Sequence, residues 1–122
     1  MHVEPFRAVR PTRDKAYLVA SRSYVTYSEK VLRDKLENNP YTFLQIIHPD
    51  KLGEAQSFGE ERFHKVRLRF EEFQKRGIFM KEEQAAFYVY RQIHHDRTHT
   101  GVIAAVAVND YLEGHIKLHE HT

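Results

Sequence analysis

The chain has 122 residues and a mass of 14.5 kDa, a length at which one core hides roughly two thirds of the surface of the unfolded polypeptide, so residues 1–122 are expected to form a single domain. Hydrophobic residues at 41% and aromatics at 12% exclude a disordered tail. The 19 Lys and Arg nearly balance 17 Asp and Glu and alternate with them in sign, which excludes the basic block that grips a nucleic-acid backbone, and the lack of cysteine excludes disulfides, thiolate metal sites and cysteine nucleophiles.

The start, Met1-His2-Val3-Glu4-Pro5, has no basic segment leading into an apolar run, and no stretch of about eighteen apolar residues occurs. The expected setting is therefore the cytoplasm, with neither membrane nor nucleic acid as partner.

Phe6-Arg7-Ala8-Val9 alternates apolar and polar residues before Arg10-Pro11, and Ala16 to Ala20 is a second short apolar run; both suggest strands. Ser28 precedes Glu29 to Leu36, where its hydroxyl can accept from the free amides of a first helical turn and Glu29 suits the positive end of the helix dipole. Asn38-Asn39-Pro40 stops that helix. Thr42 to Ile47 is expected to form a buried strand that ends at His48-Pro49, because proline cannot donate into a ladder. The longest helix is expected to open on Ser57 and Glu60 at capping-box spacing. It carries Phe63, Val66, Phe70 and Phe73 at steps of three and four, and Gly77 closes it. Its other face pairs Glu61 with Lys65, Glu71 with Lys75 and Glu72 with Arg76, each worth about 0.3 kcal/mol.

Phe87 to Ile93 and Thr100 to Val108 have strand composition, and His94 to His99 between them reads as a hairpin loop. Val102 to Val108 is apolar on both faces, as a central strand covered on each side would be. Asn109 to Gly114 is a turn or short helix leading into Ile116 to Thr122. The expected fold is α+β, a mixed or antiparallel sheet whose C-terminal-half hairpin packs against one long and one short helix. Two helices supply one layer for a strand that needs two. Self-association or a complementary polypeptide is therefore expected.

Six of the nine histidines fall in two groups, His94, His95 and His99, and His115, His119 and His121. Neutral imidazole is a common zinc ligand, and on a strand His119 and His121 would share a face roughly 7 Å apart. No third ligand is set by spacing and there is no H-E-x-x-H pattern, so no metal ligand is assigned. Glu113-Gly114-His115-Ile116-Lys117 is superficially like an Asp-Gly-His-x-Arg phosphate loop, but lysine lacks the planar bidentate contact of arginine. Ser21, Ser23 and Ser28 lie among Arg22, Tyr24 and Tyr27 with no base visibly paired to a hydroxyl. Tyr88, Tyr90 and Arg91 could stack on bases, but the accompanying basic stripe is missing.

Several tracts together resemble the domain-of-unknown-function family 1015. They are Val9-Arg10-Pro11; Ala20-Ser21-Arg22-Ser23-Tyr24, where members read Ala-Ser-Pro-Pro-Tyr; Asn39-Pro40 with Phe43-Leu44; Tyr88-Val89-Tyr90-Arg91-Gln92; Thr100-Gly101-Val102; and Tyr111 to Thr122 with Gly114, Ile116, Lys117 and His119-Glu120-His121. Arg22 and Ser23 depart from the Pro-Pro pair. Members are longer and carry an Asp-Gly-His-His-Arg signature downstream, so the chain is expected to be the N-terminal part of the longer family.

The family is similar in turn to the ParB and sulfiredoxin-like superfamily, which includes free-serine kinases. The resemblance implies a phosphotransfer or phosphate-ester enzyme acting on serine or phosphoserine, with ATP, ADP or pyrophosphate and magnesium as cofactors of the full-length family. It further implies Arg10, Lys117 and His119 as phosphate contacts, Glu120 with His119 as catalytic groups, and Ser21 and Tyr24 in the substrate loop. The competing expectation is a non-catalytic interaction module, either a truncated copy or one subunit of a split protein.

Overall fold

The computed structural model describes residues 1–50 and 55–119, Tyr24 by its backbone alone. The chain divides into two compact units, Val9–Lys81 and the pair of segments Met1–Ala8 and Glu82–Thr122. Helices and small sheets mix in an α+β fold. Among the described residues all three two-stranded sheets are antiparallel.

In the Val9–Lys81 unit, strand β2 (Val9–Pro11) pairs with β3 (Phe79–Lys81), following the short β1 (Val3–Glu4) of the other unit. Between β2 and β3 lie α1 (Ala16–Val19), a 3-10 turn (Tyr24–Thr26), α2 (Glu29–Asn38), α3 (Leu44–Ile47) and α4 (Gly59–Lys75). The capping expected of Ser28 is present, its Oγ accepting from the Val31 amide at 3.3 Å. Gly77, at φ +72°, closes α4. Its amide donates to Gln74 and that of Ile78 donates to Phe73, the paired bonds that a left-handed residue allows beyond a helix end. Ile78 and Phe73 thereby enter one core with Val19, Ile46 and Phe79, and Val9, Tyr41, Val66 and Phe70 pack against it. The Phe73 and Phe79 rings meet edge to face at 5.5 Å.

Sequence expectations fail at several places in this unit. Ala16 to Ala20 and Thr42 to Ile47 are helical turns, not strands. Runs this short have no period of their own, and polar side chains decide them here: Asn39 donates to Leu18 O at 2.7 Å, and Gln45 to Leu36 O at 2.8 Å. Ser57 does not cap α4, because its hydroxyl donates to the buried Asp50 at 2.7 Å. The N-terminal flank of α4 is Phe58, with no side-chain cap. Phe63, placed by its spacing on the core face, is 72% exposed. On the outer face Glu61–Lys65 at 3.8 Å and Glu72–Arg76 at 3.9 Å pair as expected, while Glu71 meets Arg67 at 3.8 Å.

In the other unit β4 (Tyr88–His94) and β5 (Arg97–Ile103) form the expected hairpin, followed by β6 (Ala105–Val106) on β1 and α5 (Val108–Leu112). The hairpin loop is tighter than the six residues expected. His94 pairs with Arg97 across His95-Asp96, and His95 takes φ +55°. Tyr88 fastens the N-terminal arm, donating to Phe6 O at 2.9 Å and accepting from the Ala8 amide at 3.0 Å. Val102 to Val108 is not a covered central strand. It breaks at Ala104 to serve two sheets, and Val102 is 69% exposed. No helix among the described residues is long and apolar enough to cross a membrane.

Candidate functional site

Residues able to hold a ligand gather at the end of α5. The helix follows the extended Ala107, and Asp110 sits in its first turn, where a carboxylate suits the dipole. Gly114, at φ +81°, reverses the chain after the helix, a conformation that costs glycine least. The Gly114 amide donates to Tyr111 O at 3.1 Å, and the His115 and Ile116 amides donate to Asp110 O at 2.9 and 3.2 Å. This repeats the closure seen at Gly77. It sets His115 beside the helix it has just left.

Asp110 and Glu113 are three residues apart, neighbours on a helical surface, and the turn adds His115. One ligand atom from each lies within 4.8 Å of the other two. His115 Nε2 is 3.3 Å from Glu113 Oε2. Asp110 is half-buried, the other two exposed. Sequence spacing does not single out Asp110, since D-x-x-E-G-H matches no ligand motif. The legible signal is Gly114, a glycine of the kind that caps a helix and folds the chain back over its last turn.

The residues implied by the resemblance fall in both units. Arg10 is in β2 opposite Met80. Ser21 is exposed in the loop after α1, and Tyr24 opens the 3-10 turn. Hydroxyls in that loop bond locally, Thr26 donating to Ser23 O at 2.7 Å and Tyr27 Oη accepting from the Arg22 amide at 2.9 Å. Lys117 and His119 are exposed in the irregular segment after the turn, at most nine residues from Asp110. Glu120 and His121 lie outside the described residues.

Magnesium prefers an octahedral set of oxygens and keeps most of its water. A trio that includes an imidazole does not fit it. The same donors suit zinc or manganese.

The fold places the molecule among α+β proteins, and its ligand-bearing turn lies within the Tyr111 to Thr122 tract that contributes to the sequence resemblance. The chain belongs to the family described as Protein of unknown function (DUF1015), whose model matches residues 3–122. No curated protein and no solved structure matches it.

Proposed function

We propose that the chain handles phosphate within a phosphotransfer or phosphate-ester enzyme acting on serine or phosphoserine, with a nucleotide or pyrophosphate as the second substrate. The observation supporting this reading is that carboxylates, imidazoles and an ammonium group are concentrated and accessible in one tract, Asp110 to His119. Phosphoryl transfer is largely a matter of positioning and charge neutralisation, and it uses these groups. On this reading Lys117 and His119 contact phosphate and Glu120 moves the proton of the serine hydroxyl, while Arg10 as a phosphate contact and Ser21 and Tyr24 as substrate-loop residues are roles that the resemblance implies within the Val9–Lys81 unit. The similarity to the ParB and sulfiredoxin-like superfamily belongs to the same proposal.

Titration of the isotopically labelled chain with pyrophosphate, then phosphoserine, tests it. Saturable shifts at the Lys117 to His119 amides are expected with a dissociation constant of about 1 mM, and Lys117→Ala should abolish them. Pyrophosphate at about ten times that concentration leaving these amides unmoved would overturn the reading.

The hairpin favours a second reading, an interaction module. Val89 on β4 and Val102 on β5 are cross-strand partners, at 72% and 69% exposure, and adjacent exposed apolar residues mark interfaces. Light scattering after size exclusion should then give a mass above that of one chain at tens of micromolar, returning to one chain in Val89→Lys/Val102→Lys. A monodisperse single chain in the unaltered protein would remove this reading.

A further inference from the structure

We infer that Asp110, Glu113 and His115 form a binding site for a divalent transition-metal cation of the zinc type. Bonds of about 2.0–2.2 Å place neighbouring donors roughly 2.8–3.6 Å apart around such an ion. The 3.3 Å between Glu113 Oε2 and His115 Nε2 is already such an edge. The 4.8 Å bound on all three donors leaves only a side-chain adjustment to close the trio. Two carboxylates three residues apart on a helix repel each other, and a cation between them turns that repulsion into attraction.

The backbone supporting the trio is already set. Glu113, Gly114, His115 and Ile116 each donate an amide hydrogen into the last turn of α5, at 2.8 to 3.2 Å, so binding orders side chains and not the chain. One imidazole with two carboxylates is a borderline set, matched to zinc or manganese and poorly to magnesium or calcium. Three protein donors in an exposed position leave the remaining coordination places to water or substrate, as in catalytic zinc sites. Among the described residues no other trio of such donors comes this close. His2 meets Glu4 at 3.0 Å, and His94 and His95, edge to face, belong to no such trio among the described residues. The site stands whether or not Lys117 meets phosphate.

The test is zinc titration of the full chain in phosphate-free, mildly alkaline buffer, following histidine ring resonances by NMR and affinity by calorimetry. We expect one equivalent to bind with a dissociation constant on the order of 10 μM, moving the His115 ring first. His115→Ala and Asp110→Asn should each weaken binding at least about tenfold, whereas His119→Ala should change it less than about twofold. Magnesium at the same concentration should leave the His115 ring unmoved. First shifts at His94, His95 or His119, or a His115→Ala chain that binds zinc unchanged, would overturn the site. The ring signals of the unaltered protein decide this even if a variant folds poorly, and with no phosphate present a failure here leaves the phosphate reading untouched.

Discussion

Phe73→Ala is expected to cost the chain about 3–5 kcal/mol of stability, whereas Phe63→Ala on the same helix should cost less than about 0.5 kcal/mol. Both belong to one stripe of aromatics at helical spacing, and the sequence does not separate them. The structure does: Phe73 is 1% exposed and Phe63 72%. Truncating Phe73 removes its edge contact with Phe79 and empties the centre of a cluster made with Val19, Ile46 and Ile78. A cluster of five buried side chains among the described residues has little to spare when one is hollowed out, since vacated volume collapses only in part. Urea unfolding of the two variants, followed by far-UV circular dichroism, measures the difference. Equal losses would show that the Phe63 end of the stripe is buried in solution.

The second large effect is expected in acid. Asp50 is buried, and its carboxylate takes a hydroxyl hydrogen from Ser57 at 2.7 Å, an ammonium hydrogen from Lys65 at 3.0 Å and the Ser57 amide at 3.1 Å. Arg62 approaches it at 3.8 Å and donates to Ile47 O. The Ser57 hydroxyl first, and Lys65 next, hold the carboxyl far below the ordinary aspartate value of 3.8, outweighing the opposing effect of burial.

A carboxyl whose folded pKa lies below its unfolded one stabilises the fold fully above the unfolded value, and loses that contribution as pH falls toward the folded one. Stability should therefore fall as the solution is acidified below about pH 4. Asp50→Asn should be less stable at neutral pH, because Lys65 and Arg62 then face a neutral amide. It should also show a shallower acid slope, lacking this proton uptake. Parallel slopes for the variant and the unaltered chain would show that Asp50 contributes nothing to the pH dependence. Comparing the two chains isolates Asp50 from the other carboxylates.

Where the sequence contains a complete local rule, the structure follows it. Ser28 caps α2 because the bond it makes is with the turn that follows it. Gly77 ends α4 because no other residue takes φ +72° so cheaply. Tyr88 to His94 forms a strand because seven cross-strand pairs back its composition. The tracts resembling the family were likewise legible, since they depend on order along the chain and not on packing.

Tertiary structure alone decided the rest. Four-residue runs such as Ala16–Val19 and Leu44–Ile47 suit strand or helix equally, and Asn39 and Gln45, bonding to carbonyls of other segments, settled them as helical turns. Ser57 has the spacing of a cap, but a buried carboxylate seven residues back competes for the same hydroxyl and wins. Phe63 and Phe73 share a period, and only the position of the core along α4 separates them. His115 joins Asp110 and Glu113, already neighbours three residues apart, because Gly114 turns the chain back over its own helix.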